Sequence, residues 1–201
     1  MEQIGKHKKL LTLVVITIAT MSASCGPQQK YAGEGAITDI KAETWLTIDE
    51  PTLGFKSKFP GKWNTPPVET METENGLAYV YIFDYWHVAF QYGITVVKFP
   101  HGVADMSDPD TVLDFAVNSL AEEQNGTVAF QENVNMGGYP ARRAMISLPD
   151  SYLKQARVNT MIILRNQLVY RITTAGVGNH EFIEHFMDSF ELTPVIVQFN
   201  P

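Results

Sequence analysis

The sequence predicts an α+β domain: an antiparallel β-sheet flanked by two main α-helices, in a single domain that starts near residue 43. Three observations carry this. From Thr44 onward, short runs of alternating apolar and polar residues follow one another, most of them ended by Pro, Gly or Asn, as antiparallel hairpins require. Two segments place their apolar residues at helical spacing instead. The chain has 201 residues, 45% hydrophobic and 18% charged, enough for a sizeable core; its single cysteine excludes an intrachain disulfide and a Cys-rich metal site.

Taken in order, TWLTID (44–49) and LGFKSKFP (53–60) alternate as strands do, and Pro60-Gly61 turns the chain so that Trp63 packs back on the sheet. VETMETE (68–74) meets Asn75-Gly76, a strong hairpin signal, and LAYVYIFDYW (77–86) follows as its partner. YGITVVKFP (92–100) is the next strand. Residues 109–124 are a helix: Ser107 or Asp108 caps it, Pro109 suits its first position, and Val112, Leu113, Ala116, Val117 and Leu120 form one stripe. Asn125-Gly126 ends it with a left-handed cap. Three strands follow at 127–134, 141–148 and 156–165. A tight turn at Asn166-Gln167 leads into LVYRITTA (168–175), which Gly176 and Gly178 end. A last helix, 180–190, presents Phe182, Ile183, Phe186, Met187 and Phe190 on one side, and LTPVIVQFNP is a short strand or tail.

The first 24 residues have a different character. Lys6, His7, Lys8 and Lys9 precede Leu10 to Met21, 12 residues without charge. As a helix these would span about 18 Å, short of a bilayer core of about 30 Å, and they have the shape of a secretory signal. Ser22-Ala23-Ser24-Cys25-Gly26 follows. This arrangement resembles the bacterial lipoprotein signal, with small residues before the cysteine; Ser22 stands where that pattern usually has Leu. The resemblance implies cleavage before Cys25, diacylglycerol on its thiol and an acylated amine, for which palmitate is the usual chain. Two or three acyl chains anchor stably where one does not. Gly26, in place of a retaining Asp, implies the outer membrane, facing the periplasm. Residues 25–42 read as lipidated cysteine and flexible tether, and 43–201 as the domain.

The charge balance is acidic, 15 Lys+Arg against 22 Asp+Glu. Past residue 24 it becomes 12 against 21, net −9, which argues against nucleic acid as a partner.

Candidate chemistry is sparse. In HEFIEH (180–185) the two histidines are five apart and diverge by about 140° on a helix, so they do not ligate one ion together. The sequence predicts no metal site, no cofactor and no catalytic constellation. In the aromatic run YVYIFDYWHVAFQY, Tyr79, Tyr81, Phe83 and Tyr85 share one strand face; Val80, Ile82, Asp84 and Trp86 share the other. Cross-strand packing is the default reading, and a ligand or partner platform the functional one. MGGYPARR (136–143) pairs a Gly-Gly turn with Arg142 and Arg143, which point to opposite faces as consecutive strand residues; pairing with surface acids is the bland reading, carboxylate or phosphate binding the sharp one. The candidate surface is therefore Tyr79, Tyr81, Phe83, Tyr85, Trp86, Arg142 and Arg143.

FKSKFPGKW, GGYPARRA, LVYRITTAG and HEFIEHFMDSFEL, in this order, resemble bacterial members of the PsbP-like family, with Tyr139-Pro140-Ala141, Tyr170 and Ser189-Phe190 in that pattern's places. The resemblance covers most of residues 50–192. It implies an antiparallel sheet between helices, an α/β/α arrangement, and a mostly non-enzymatic role; the matching positions are fold determinants and carry no functional residue across. The expectation is a membrane-anchored envelope lipoprotein that acts as a binding or assembly-accessory module, with another envelope protein or a small ligand as partner. The rivals are an envelope hydrolase, with His87 or His101 as base beside a carboxylate, and a purely structural anchor.

Overall fold

The structure, a computed structural model, describes residues 45–73, 76–87, 90–100, 108–148, 156–177 and 180–196, without the side chain of His87. Cys25, the signal, the tether, Asn75, His101, Ser107 and Gly178 lie outside the described residues.

Among the described residues, ten strands and two helices follow one another as β1 (Leu46–Glu50), β2 (Phe55–Phe59), β3 (Glu69–Thr73), β4 (Gly76–His87), β5 (Phe90–Lys98), α1 (Pro109–Glu123), β6 (Thr127–Met136), β7 (Tyr139–Ser147), β8 (Arg157–Arg165), β9 (Leu168–Gly176), α2 (His180–Asp188) and β10 (Glu191–Leu192). Seven strands form one sheet in the order β3-β4-β5-β9-β8-β7-β6, every pairing antiparallel. The local chemistry that ends each element is visible. Asp108 caps α1 by accepting from the Thr111 N–H at 3.2 Å. At its far end Asn125 takes the left-handed conformation (φ 50°), while Gly126 N–H donates to Ala121 and Asn125 N–H to Glu122, a Schellman closure. Between β6 and β7, Gly137 and Gly138 both have positive φ, the two-residue turn that matches strand twist.

The expected arrangement of one sheet between two helices needs correction. β1, β2 and β10 form a separate three-stranded sheet on the side of α2. Alternation along a strand says which residues face inward but not which sheet the strand joins. Here Phe55, Ser57 and Phe59 all turn inward from β2, so this small sheet supplies an apolar face of its own.

The large sheet therefore has two different coverings. On one face, α2 and the small sheet bury an aromatic core: Phe55 stacks on Phe190 at 5.6 Å, and Phe186 meets Phe59 at 5.1 Å and Tyr92 at 5.2 Å. Tyr170, from the central strand, donates its hydroxyl to the Leu53 carbonyl at 2.7 Å, and Arg165 donates to the carbonyls of Gly54 and Thr193. Ser189 adds a bridge by accepting from the Lys58 N–H at 3.0 Å. On the other face, Leu113, Ala116 and Val117 of α1 pack on Val80, Val97, Ile162 and Val169. This covering is mostly aliphatic, with Phe99 and Phe115 its aromatic members, and it is incomplete.

Candidate functional site

α1 leaves part of its face of the sheet open. The strands there put Ile82, Asp84 and Trp86 from β4, Gln91, Gly93 and Thr95 from β5, and Arg171, Thr173 and Ala175 from β9 side by side, because Asp84 pairs with Gly93 and Gly93 with Thr173. The result is a hollow of about 370 Å³, closed by Leu120 and Gln124 at the end of α1 and by Asn64 and Glu69 at the β4 edge. Asn64 is fixed there by two backbone hydrogen bonds to Asp84.

Gly93 lines the hollow and adds no side chain to it. Its backbone is ordinary strand, and a Cβ placed on it would meet nothing nearer than the Phe83 carbonyl at 4.0 Å. Neither strain nor crowding requires glycine at this position. A glycine inside a strand weakens it and often marks close approach of a ligand.

Arg171 lies under the floor. It is 6% exposed and donates toward the Thr95 hydroxyl at 3.5 Å. Burial pushes its guanidinium down to about 10, and the Glu123 carboxylate opposes that shift. Asp84 faces the hollow from β4: one carboxylate oxygen accepts from the Trp86 indole N–H at 2.7 Å, and the other is buried without a hydrogen-bond partner among the described residues. The bond to Asp84 holds the indole in one orientation while 52% of Trp86 remains exposed.

The residues proposed from sequence separate into distinct places. Phe83 is core, 3% exposed and 5.5 Å from Phe55, so it leaves the candidate surface. Tyr81 and Tyr85 are half-buried against the same aromatic core, because their face of β4 is the one α2 and the small sheet cover. Tyr79 and Trp86 are exposed, on opposite faces. Arg142 is buried and bridges Asp110 at 3.3 Å and Asp114 at 2.9 Å on α1; Arg143 turns the other way to Glu184 of α2 at 2.6 Å. The opposed arginines thus pin one helix to each face. In HEFIEH, His180 lies 3.8 Å from Glu184 while His185 packs edge-on to Trp45, so the two histidines serve different neighbours. Of the seven proposed residues, Trp86 lines the hollow beneath α1. Gly93 and Arg171 escaped the sequence reading, although each carried a signal: a glycine amid YGITVV, and a cation amid LVYRITTA.

A larger hollow of about 440 Å³ lies on the other face, between β6–β8 and α2. Its Arg143 is already neutralised by Glu184, and Phe130 on its rim is exposed on the outer strand. The buried, pre-aligned polar groups are in the smaller one, which is the better candidate site.

No family model matches the chain, and no curated protein matches it. Among solved structures, the chain is similar to the cyanobacterial PsbP of Synechocystis sp. PCC 6803, with a TM-score of 0.52 over 83% of this chain and 99% of that one, at 9% identity. The fold is PsbP-like. At that identity the likeness concerns the fold alone. Two further structures superpose more weakly: a Pseudomonas aeruginosa protein of unknown function, TM-score 0.35 at 11% identity over 58% of this chain and 88% of that one, and a Bacteroides thetaiotaomicron protein, 0.36 at 11% over 73% and 47%. Within the PsbP-like frame, the positions that carried the family pattern are structural here: Tyr170 bonds Leu53, Ser189 bonds β2, and Phe190 stacks on Phe55.

Proposed function

We propose that this chain is a lipid-anchored protein of the bacterial envelope whose PsbP-like domain binds a small polar ligand without transforming it. The observation that carries the reading is the hollow over Gly93: β5 presents no side chain between Asp84 and Thr173, in a hollow that a buried arginine and a fixed indole also line. The described residues lining it include neither histidine nor cysteine, and the Asp84 carboxylate is engaged by Trp86. Binding fits this chemistry better than nucleophilic or acid–base catalysis.

The anchor rests on sequence: the basic start, the uncharged run and Cys25. It puts the domain at the end of a tether, on the periplasmic side of the outer membrane, where a neighbouring envelope protein is a further partner.

The binding reading is tested by thermal-shift screening of the detergent-solubilised full chain against a library of small polar metabolites, with Gly93→Met alongside. Met at 93 fills the hollow from its floor. The expected result is a compound that raises the Tm of the wild type and leaves Gly93→Met unmoved; a library that shifts both alike, or neither, contradicts it. For the anchor, Cys25→Ala is expected to lose labelled palmitate and to leave the membrane fraction. Unchanged membrane association would refute the lipid anchor.

A further inference from the structure

We infer that the hollow beneath α1 takes a neutral polyhydroxylated ligand, a mono- or disaccharide, seated against the Trp86 indole above Gly93. This rests on the binding reading and names its ligand class.

Charge is the first argument. An anionic ligand entering the hollow meets Asp84 on the wall and Glu69 at the rim, in a domain whose balance is already acidic. A cationic ligand meets Arg171 under the floor, a charge that the Glu123 carboxylate partly offsets. A zwitterion needs a carboxylate free to receive its ammonium, yet one Asp84 oxygen is taken by the indole and the other is buried. The lining carries both signs of charge, with Glu123 acting on Arg171, so it gives neither a pure cation nor a pure anion an unopposed approach, and a ligand with dipoles and no net charge suits it.

The uncharged groups supply the second argument. Asn64, Gln91 and Gln124, each with a side-chain amide, line the hollow. Thr95 and Thr173 add hydroxyls. Amides and hydroxyls both donate and accept, as the vicinal hydroxyls of a sugar do. Trp86 is the third argument. Its exposed indole is a flat apolar surface already immobilised by Asp84, so a sugar ring can lay its C–H face on it with little further loss of side-chain entropy. The volume, about 370 Å³, suits one or two sugar rings.

The test is saturation-transfer NMR on the detergent-solubilised full chain. Its probes are glucose, galactose, mannose, N-acetylglucosamine and their disaccharides, with hexanoate, cadaverine and betaine as charged controls. The inference predicts transfer to at least one neutral sugar, strongest at its ring C–H protons, and at least a tenfold weaker affinity in both Trp86→Ala and Gly93→Met, whose circular dichroism matches the wild type. Transfer to a charged control that Gly93→Met abolishes, with the sugars silent, would overturn the ligand class and leave the binding reading standing. Silence from every probe would overturn both. Sugar binding that survives both substitutions would place the ligand elsewhere and overturn the inference. Cleavage of a bound disaccharide would uphold the ligand class and overturn the binding-only reading.

Discussion

The two faces of the seven-stranded sheet are made by the same strands and have opposite interiors. Tyr92 and Ile94 of β5, with Tyr170 and Ile172 of β9, point toward α2 and the small sheet, where aromatic rings pack edge to face. One residue along, Gly93 and Thr95 with Arg171 and Thr173 point toward α1 and border a hollow. Period-two alternation lets each strand serve packing on one side and keep polar groups on the other. The first face holds the fold together, and the second carries the candidate site.

Breaking the packed face should have the largest effect. Phe186→Ala removes a fully buried ring that touches Phe59 and Tyr92, and should cost about 3–5 kcal/mol in urea unfolding. A loss below about 1 kcal/mol would mean that the aromatic face is not the main support.

The next contrast is between the neighbouring arginines. Arg142→Ala strands Asp110 and Asp114 of α1 and removes a buried cation, an expected loss of about 2 kcal/mol. Arg143 is itself a third exposed where Arg142 is buried, so Arg143→Ala should cost about 0.5 kcal/mol. Equal losses in the two variants would remove the distinction between the helix anchors.

The faces should also respond oppositely to alkali. Burial, with Tyr85 adding to it, pushes the Tyr92 phenol up to about 12. Between pH 10 and 12 the unfolded chain has released that proton and the folded chain holds it, so this stability is lost as pH rises, by on the order of 2 kcal/mol. Arg171 runs the other way: its lowered value means that the folded chain gives up its proton first, and stability returns as pH climbs past about 10. Urea midpoints measured from pH 9 to 11.5 should fall less steeply in Tyr92→Phe than in the wild type. Identical slopes would mean that the Tyr92 phenol ionises as freely in the fold as in the unfolded chain.

Much of the packed face was legible in the sequence. Strand after strand, alternation located the elements within a few residues, and the helix stripe with Asn125-Gly126 fixed where α1 stops. Reading the arginines as pointing to opposite faces, each paired with surface acids, also matches the structure. Pairing between distant strands was not legible, because the signal of a strand is local while its sheet is chosen by long-range burial. That is why alternation at 44–49 and 53–60 reads as part of one sheet with the rest, whereas β1 and β2 pair with β10 in a sheet of their own. The hollow was hidden for a related reason. Gly93, Asp84 and Arg171 become neighbours through register across β4, β5 and β9, which no stretch of sequence displays. The aromatic run drew attention to the correct strand, but its odd-numbered face is mostly core, and of its even-numbered side chains Trp86 presents an exposed ring at the site.

A change of only about 0.5 kcal/mol bears most directly on the central claim, that the α1 face keeps a cavity open for a ligand and not for packing. Gly93→Ala adds a methyl group into open space on an unstrained strand. If the glycine serves the cavity, the variant should be more stable than the wild type by about 0.5 kcal/mol in equilibrium urea unfolding, since glycine weakens a strand interior. A destabilisation of about 1 kcal/mol or more would show that Gly93 is required by the fold, and would contradict the claim.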